Sequence, residues 1–499
     1  VRSIKKLKSF SARLQAVVSI AMVVFMCVFL ISCRFISPPA DPDIFAPGEY
    51  SELLADEPRS EDYNVWINGV EAIVYVARVQ DGRWAPDSTG LDFGGNYSFV
   101  GFDLNRPVEI KIQSENKLLN NTIFRPDNAK VKHLKKSDNE ITFTIDRPMQ
   151  LSIEPDGKNG PLLLFANPVD DFISDINDTN LIYFGPGIHR PETTSEQRGR
   201  PSPPVIILGD NKTLYLAEGA ILKAGIRVEG DNVTICGRGI ICGNEQVWRQ
   251  YSRNLILVDH SNNVVVKDII LRGCATWTMP LRNSHNITID NVKIVGGRAQ
   301  NDDGINPVNS SDVLISNCFI RTDDDCIALK GVRLPPYNED VERITVENSI
   351  LWCDRARIFL LGHESRAEYM RDLTFRNIDI IHFSMTAFLL EPGEEMRLEN
   401  TIFEDFRING EGQGSLIRLK PTVNRYMRNR VPGYINNITF KKIDLTGSDG
   451  PYKIELIGAD EKHNVSGIHF KNVSMLGSKL KPEYKNLEVG DFVSDYTLD

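Results

Sequence analysis

One pattern recurs along much of this chain and leaves few folds open to it. From about residue 180 a polar residue, most often Asn, leads a short alternating strand of Val, Ile, Leu and Phe. Examples are Asn232-Val-Thr-Ile, Asn263-Val-Val-Val, Asn286-Ile-Thr-Ile, Asp312-Val-Leu-Ile, Arg343-Ile-Thr-Val, Asp372-Leu-Thr-Phe and Asn437-Ile-Thr-Phe. The first six leading positions, 232, 263, 286, 312, 343 and 372, recur every 23 to 31 residues. A second strand often follows closely, as at Asn291-Val-Lys-Ile and Asn377-Ile-Asp-Ile. A single coil of such strands cannot bury its inner face. Stacked coils share a continuous apolar core and push length variation into outer loops, which predicts a right-handed parallel β-helix over 176–485.

Residues 63–175 read differently. Short alternating runs (Tyr63–Val79, Ser98–Leu104, Val108–Gln113, Glu140–Ile145, Gln150–Glu154, Leu162–Ala166) are separated by Gly, Asn, Asp and Pro turns. Strands at such spacing predict a small β-sandwich. The fold class expected is therefore all-β, a sandwich followed by a β-helix. At 499 residues, 41% hydrophobic and 25% charged, the chain is globular in composition and long enough for both parts.

The N-terminus carries an export signature. Arg2, Lys5, Lys6, Lys8 and Arg13 precede an apolar run, Ala16–Ile31, that ends at Ser32-Cys33. This resembles a bacterial lipoprotein signal, 1–33, with Cys33 as the lipidated residue. It implies a lipid anchor in the membrane and a body outside the cytoplasm, in the bacterial cell envelope. The Pro-, Asp-, Glu- and Ser-rich stretch 34–62 then reads as a linker. The formal charge is −10, and about −15 beyond Cys33. So acidic a chain is not expected to bind nucleic acid, which needs a basic surface. Six further cysteines lie in apolar strand-like runs and read as buried thiols; no C-x-x-C pair suggests zinc.

The β-helix has a chemical consequence. Side chains one coil apart stand roughly 4.8 Å from each other. Asn301-Asp302-Asp303-Gly304 and Asp323-Asp324-Asp325 are one short coil apart, so their carboxylates form a cluster. Acids packed together cannot all ionise, so some hold protons at neutral pH beside others that stay charged. A proton donor beside a base is what glycosidic bond hydrolysis requires. A solvated acidic turn or a calcium site remains open on spacing alone.

The ordered set Asn301-x-Asp303-Gly304, Asp324-Asp325-Cys326-Ile327-Ala328-Leu329-Lys330, Gly362-His363 and Arg418-Leu419-Lys420 resembles the four motifs of glycoside hydrolase family 28, the polygalacturonases and related inverting β-helix enzymes. The sandwich ahead of the helix, with Pro161–Pro168 and Tyr183–His189 at the junction, resembles family 49, the dextranases and isopullulanases. The resemblance implies that Asp324 is the general acid, that Asp303 and Asp325 orient and deprotonate the attacking water, and that His363 tunes the acid. Asn301, Arg418 and Lys420 would bind substrate, the last two holding a sugar carboxylate. No metal or organic cofactor is implied.

Two departures stand out. Glu364 replaces the second Gly of the usual Gly-His-Gly, and the Val332–Asp340 loop lengthens the gap to His363. Trp277 and Tyr426 are candidate sugar-stacking rings. Five basic residues between Arg418 and Arg430, with no acid among them, favour an anionic ligand. The expected activity is inverting hydrolysis of a pectin-like polysaccharide or oligosaccharide. The alternatives are a dextranase-like α-glucan hydrolase, a polysaccharide lyase and a non-catalytic carbohydrate-binding β-helix.

Overall fold

The structure is a computed structural model that describes residues 52–78, 95–172, 177–192, 196–197, 200–201, 203–246, 253–297, 299–332 and 339–499. The expected signal 1–33 with Cys33, most of the expected linker, and positions 333–338 of the long loop lie outside the described residues.

Among the described residues every regular element is a strand. Two five-stranded sheets form the N-terminal sandwich, from Asn64–Ile67 to Leu162–Asn167. Among the described residues all its pairings are antiparallel except that of Asn96–Asp103 with Leu162–Asn167. The remaining chain winds into two largely parallel sheets, one of 19 strands and one of 11 among the described residues; Glu196–Gln197 with Arg200–Pro201 and Val465–Met475 with Ser478–Lys479 pair antiparallel. The coils run on to Val493–Leu498, which pairs in parallel with Val465–Met475 and extends the helix beyond the expected 485. That last strand carries no Asn-led repeat and is largely exposed, so the pattern fades before the fold does.

The leading residues of the repeat have a backbone reason. Asn232, Asn263, Asn286, Asp312, Arg343, Asp372 and Asn437 all adopt φ between 52° and 60°. Asn and Asp tolerate this left-handed region better than other side chains. Their amides also link coil to coil: Asn263 donates to Asn232 at 2.7 Å and Asn377 to Asn348 at 2.7 Å. Inside, Phe375, Phe403, Phe440 and Phe470 stack at 4.7, 4.9 and 5.2 Å, one ring per coil. Each buried ring contributes about 1.5–3 kcal/mol by leaving water.

One sandwich sheet packs on the helix. Ala77, Tyr97, Phe99, Leu163 and Phe165 meet an apolar strip made by Ile221, Ile240, Ile270, Val295, Phe319 and Trp352. The expected linker is corrected at its end: Leu54 is fully buried in this layer, and buried Glu57 pairs with Arg272 and with Lys223. Its acidic composition looked like tether because a buried ion pair has no hydropathy signal. Lys293 lies wholly buried in the same junction and donates to Asn167 Oδ1 at 2.5 Å. His382 bridges Glu154 of the sandwich and Glu411 of the helix, at 3.0 and 2.8 Å.

Candidate active site

The 11-stranded sheet carries the site on its outer face. Consecutive strands Met279–Arg282, Ile305–Val308, Ile327–Gly331, Arg357–Ser365, Thr386–Leu390 and Ser415–Leu419 lie side by side. Their inward residues, such as Ile305, Ile327, Phe359 and Phe388, belong to the core. The register sets Ala328, Leu360, Leu389, Arg418 and Glu455 in one outward row. The acids come from the two turns that enter the strands at Ile305 and Ile327.

Those turns touch. Gly304 N–H donates to Asp325 O at 2.8 Å and Ile305 N–H to Cys326 O at 3.0 Å. Gly304 is needed for this approach, since a Cβ there would stand 2.4 Å from Cys326 O. The spacing of 21 residues between Asp303 and Asp324 is thus one coil.

The five acids divide into two groups. Asp302 and Asp323 are fully buried, so neither is a solvated bystander. Asp302 Oδ1 accepts from the N–H of Asp323 (2.8 Å) and of Asp324 (3.2 Å), and Oδ2 accepts from Gly297 N–H (2.6 Å). It holds the turn that presents Asp324. Burial, with Asp323 beside it, raises its pKa well above the usual carboxylate range. Asp323 pairs with Arg355 at 2.5 Å. Burial pushes it to about 7, although Arg355 pulls the other way.

Asp303, Asp324 and Asp325 face outward. Asp324 is the most open of them, its side chain 17% exposed. Its Oδ2 accepts from Asn301 Nδ2 at 3.2 Å and its Oδ1 from Asp325 N–H at 3.1 Å. Asp325 meets Arg357 Nη1 at 3.3 Å, and burial together with Asp324 raises its pKa well above normal. Asp303 accepts from Asn306 Nδ2 at 2.8 Å and from Lys330 Nζ at 3.1 Å. Burial raises it to about 6, with Lys330 opposing and Asp324 assisting.

Lys330 is the residue that sequence reasoning undervalued. It closes the second motif, Asp324–Lys330, and nothing in the sequence marks a role for it. Its ammonium sits between Asp303 (3.1 Å) and Glu364 (3.3 Å) and 3.8 Å from the Trp277 ring centroid. Burial works against its charge, but Asp303, Glu364 and Asp325 outweigh burial and raise its pKa. Glu364, the residue in place of Gly, is therefore turned onto Lys330. Arg357, 3.3 Å from Asp325 and 3.8 Å from Asp324, was also missed. No motif spacing marks it; only the coil register brings it beside the acids.

His363 and Arg418 stand further along the sheet and meet at one acid. Glu391 contacts His363 Nδ1 at 3.3 Å and Arg418 Nε at 3.5 Å. Gly362 before the His has φ 91°, and a Cβ there would press on Pro392 Cα at 2.9 Å. Tyr426 is 41% exposed and packs edge-on against the His363 ring at 5.5 Å. Arg418 also faces Glu455 at 4.0 Å, and Lys420 is half-buried at the end of the same strand. The structure thus brings Asn301, Asp303, Asp324 and Asp325 into one cluster. Arg357 links the two groups, since Asp325, Asp324 and Glu391 all act on its charge and raise its pKa against burial.

All six described cysteines are buried and unpaired. Cys326 and Cys353 pack beneath the acidic turn, where Cys353 Sγ lies 3.2 Å from Asp324 O. Among the described residues no group of three or more His, Cys, Asp or Glu is placed to hold a metal ion.

Comparison with known proteins bears out the resemblance read from the motifs. Residues 215–345 match the model of glycosyl hydrolases family 28. The chain is 28% identical over 274 residues to a probable exopolygalacturonase B of Emericella nidulans, covering 49% of this chain and 53% of that one. It is 24% identical over 273 residues to exopolygalacturonase B of Aspergillus niger, with the same shares. The chain spans about half the length of these curated relatives. Among solved structures, Dex49A from Penicillium minioluteum superposes with a TM-score of 0.60 at 15% identity, over 88% of this chain and 95% of that one. That likeness concerns the fold, and its span is longer than the β-helix alone.

Proposed function

We propose that this protein is an inverting glycoside hydrolase that cuts a pectin-like, uronate-containing polysaccharide or oligosaccharide. The observation that carries it is the cluster of Asp303, Asp324 and Asp325, brought together by adjacent coils on one outer face. The match of residues 215–345 to family 28 and the exopolygalacturonase relatives support the substrate class.

In this mechanism Asp324, the most open of the three, gives its proton to the departing glycosidic oxygen. Asp303 takes a proton from the water that attacks the anomeric carbon from the opposite face, so the configuration inverts. The base role falls to Asp303 more than to Asp325. Lys330 favours the ionised form of Asp303, whereas burial raises the pKa of Asp325 well above the usual carboxylate range. Asp325 and Arg357 then orient the water and steady the charge around Asp324. Arg418 and Lys420 bind a substrate carboxylate, for which Arg418 must turn from Glu391 and Glu455. That competition favours a neutral α-glucan as the second reading. Cys33 is the proposed lipid attachment point, anchoring the enzyme outside the cytoplasm in the cell envelope. Its support is the basic segment and apolar run that precede it.

The test is product analysis on polygalacturonate, rhamnogalacturonan and dextran, with native protein and Asp324→Asn. New reducing ends from an acidic polymer, lost in the variant by about 10²–10⁴-fold in kcat, are expected for a general acid. Reducing ends from dextran alone select the second reading. Turnover unchanged in Asp324→Asn removes the role of Asp324.

A further inference from the structure

Glu364 is the departure from the motif pattern to which the proposed mechanism gives no task. It follows His363, where the usual Gly-His-Gly has its second Gly. A glycine there lets backbone approach the sugar; here a carboxylate occupies that place. Its side chain is 26% exposed, so it borders the groove rather than the core. Oε2 faces Lys330 Nζ at 3.3 Å as an ion pair, without the alignment of a hydrogen bond, and is otherwise unpartnered among the described residues. A carboxylate can accept about four hydrogen bonds. Glu364 therefore keeps most of its capacity for groups that enter the groove.

Charge decides which groups those are. Along this face Lys330, Arg357 and Arg418 are each already shared by two carboxylates. Lys330 lies 3.1 Å from Asp303 and 3.3 Å from Glu364. Arg357 lies 3.3 Å from Asp325 and 3.8 Å from Asp324. Arg418 lies 3.5 Å from Glu391 and 4.0 Å from Glu455. The Trp277 ring, 3.8 Å from Lys330 Nζ, brings no charge from its side. A third carboxylate carried by a sugar to Lys330 would thus meet two like charges and find no cation of its own. Hydroxyl groups meet the opposite response. They donate to a carboxylate, and such charge-assisted bonds are about twice as strong as neutral ones.

We propose that Glu364 is a specificity-determining residue: it accepts hydrogen bonds from hydroxyl groups of the sugar beside Lys330 and rejects a free carboxylate there. The unit preferred at that position is uncharged, either a neutral sugar or a uronate whose carboxyl is esterified. Arg418 and Lys420, further along the sheet, remain the place for an acidic unit. The polymer that suits this site is then an acidic one interrupted by uncharged units. The assignment rests on the proposed hydrolase function and deepens it.

The test compares kcat/KM on unesterified polygalacturonate, on its methyl ester and on rhamnogalacturonan, in which uronates alternate with a neutral sugar. Native protein is set beside Glu364→Gln, which keeps the size and one acceptor and removes the charge. Losing that charge also alters Lys330 and Asp303, but this acts on every substrate alike, so the ratio between substrates is the readout. Native protein should prefer the ester, rhamnogalacturonan or both over unesterified polygalacturonate by about tenfold or more, and Glu364→Gln should erase that preference. A preference for the ester alone identifies an esterified uronate as the unit; one for rhamnogalacturonan alone identifies a neutral sugar. If Glu364→Gln does not fold, the same ratio in Glu364→Ala decides. Native protein that lacks the preference, or a ratio that the variant leaves unchanged, overturns the assignment and reduces Glu364 to a brace for Lys330. Failure of the proposed function shows separately, as native protein that releases no reducing ends from any of the three polymers.

Discussion

Replacing Lys330 by Met removes one buried charge from the centre of the site and keeps most of its volume. The ammonium is 3.1 Å from Asp303. At that distance and an effective dielectric near 20, the attraction is about 5 kcal/mol before any rearrangement. One pKa unit corresponds to about 1.4 kcal/mol, so losing little more than half of that attraction raises Asp303 by about two units. Asp303 starts at about 6. As a base it must be ionised, so the acid limb of kcat/KM should move from near pH 6 to about pH 8. At pH 5 the ionised fraction then drops about 100-fold, whereas at pH 9 activity should return to within about threefold of native. The assay is a pH profile of kcat/KM on polygalacturonate from pH 4 to 10, with melting curves at each pH. An acid limb that stays near pH 6 refutes the tuning of Asp303 by Lys330. An equal loss at every pH places Lys330 on the substrate or in the scaffold instead.

Three further outcomes follow from the same structure. Arg418→Ala should lower kcat/KM on an acidic polymer by about tenfold or more, the worth of a charged hydrogen bond, and should spare a neutral one; equal losses would remove the carboxylate contact. Stability measured by calorimetry should fall as pH rises from about 4 to 7. Asp303 and Asp323 rise from a usual 3.8 to about 6 and about 7, so the folded state binds more protons across that window, and their stabilising protonation is lost through it. Burial lowers the pKa of His382, but Glu154 and Glu411 outweigh it and raise the value, which acts in the same direction; a melting temperature that climbs between pH 5 and 7 would contradict the sign. Lys293 is lowered by burial from 10.5 to about 7, so its charge costs most below pH 7. Lys293→Met should therefore raise the melting temperature more at pH 6 than at pH 10, and a pH-independent change would show that packing, not charge, dominates there.

The sequence announced the fold because parallel coils impose a backbone constraint on every turn. Each leading Asn or Asp marks a left-handed residue, and each alternating strand marks one inward face. Arg343 breaks the composition yet keeps φ at 52°, which shows that the position, not the side chain, defines the coil. The acids were legible for the same reason: a 21-residue offset means one coil. Lys330 and Arg357 were not, since contacts across strands of unequal coil length leave no fixed spacing. Sequence alone leaves Asp302 and Asp323 open between acids that shift their neighbours' pKa values and solvated bystanders. Their burial follows from backbone N–H groups of a tight turn and from Arg355, none of which local composition reveals. The last strand and the docked residues Leu54 and Glu57 were hidden likewise, by short length and by an ion pair.

The sandwich reaches the acidic turns by a short route. Tyr97 donates to Gly296 O at 2.6 Å, and the next residue, Gly297, donates to Asp302, which holds Asp323 and Asp324. Arg321 is clasped between the rings of Tyr97 and Trp352 at 3.9 and 3.8 Å. The two parts are thus unsuited to dissection. A chain begun at Leu181 would bare a greasy seam along successive coils and leave Arg321 without half of its clasp. Its inactivity would report on clumping and a slackened turn, and would say nothing about which residues perform the chemistry. Engineering or inheritance that swaps the front part must carry over the ring at position 97 as well, or lose the hold on the acidic turns with it.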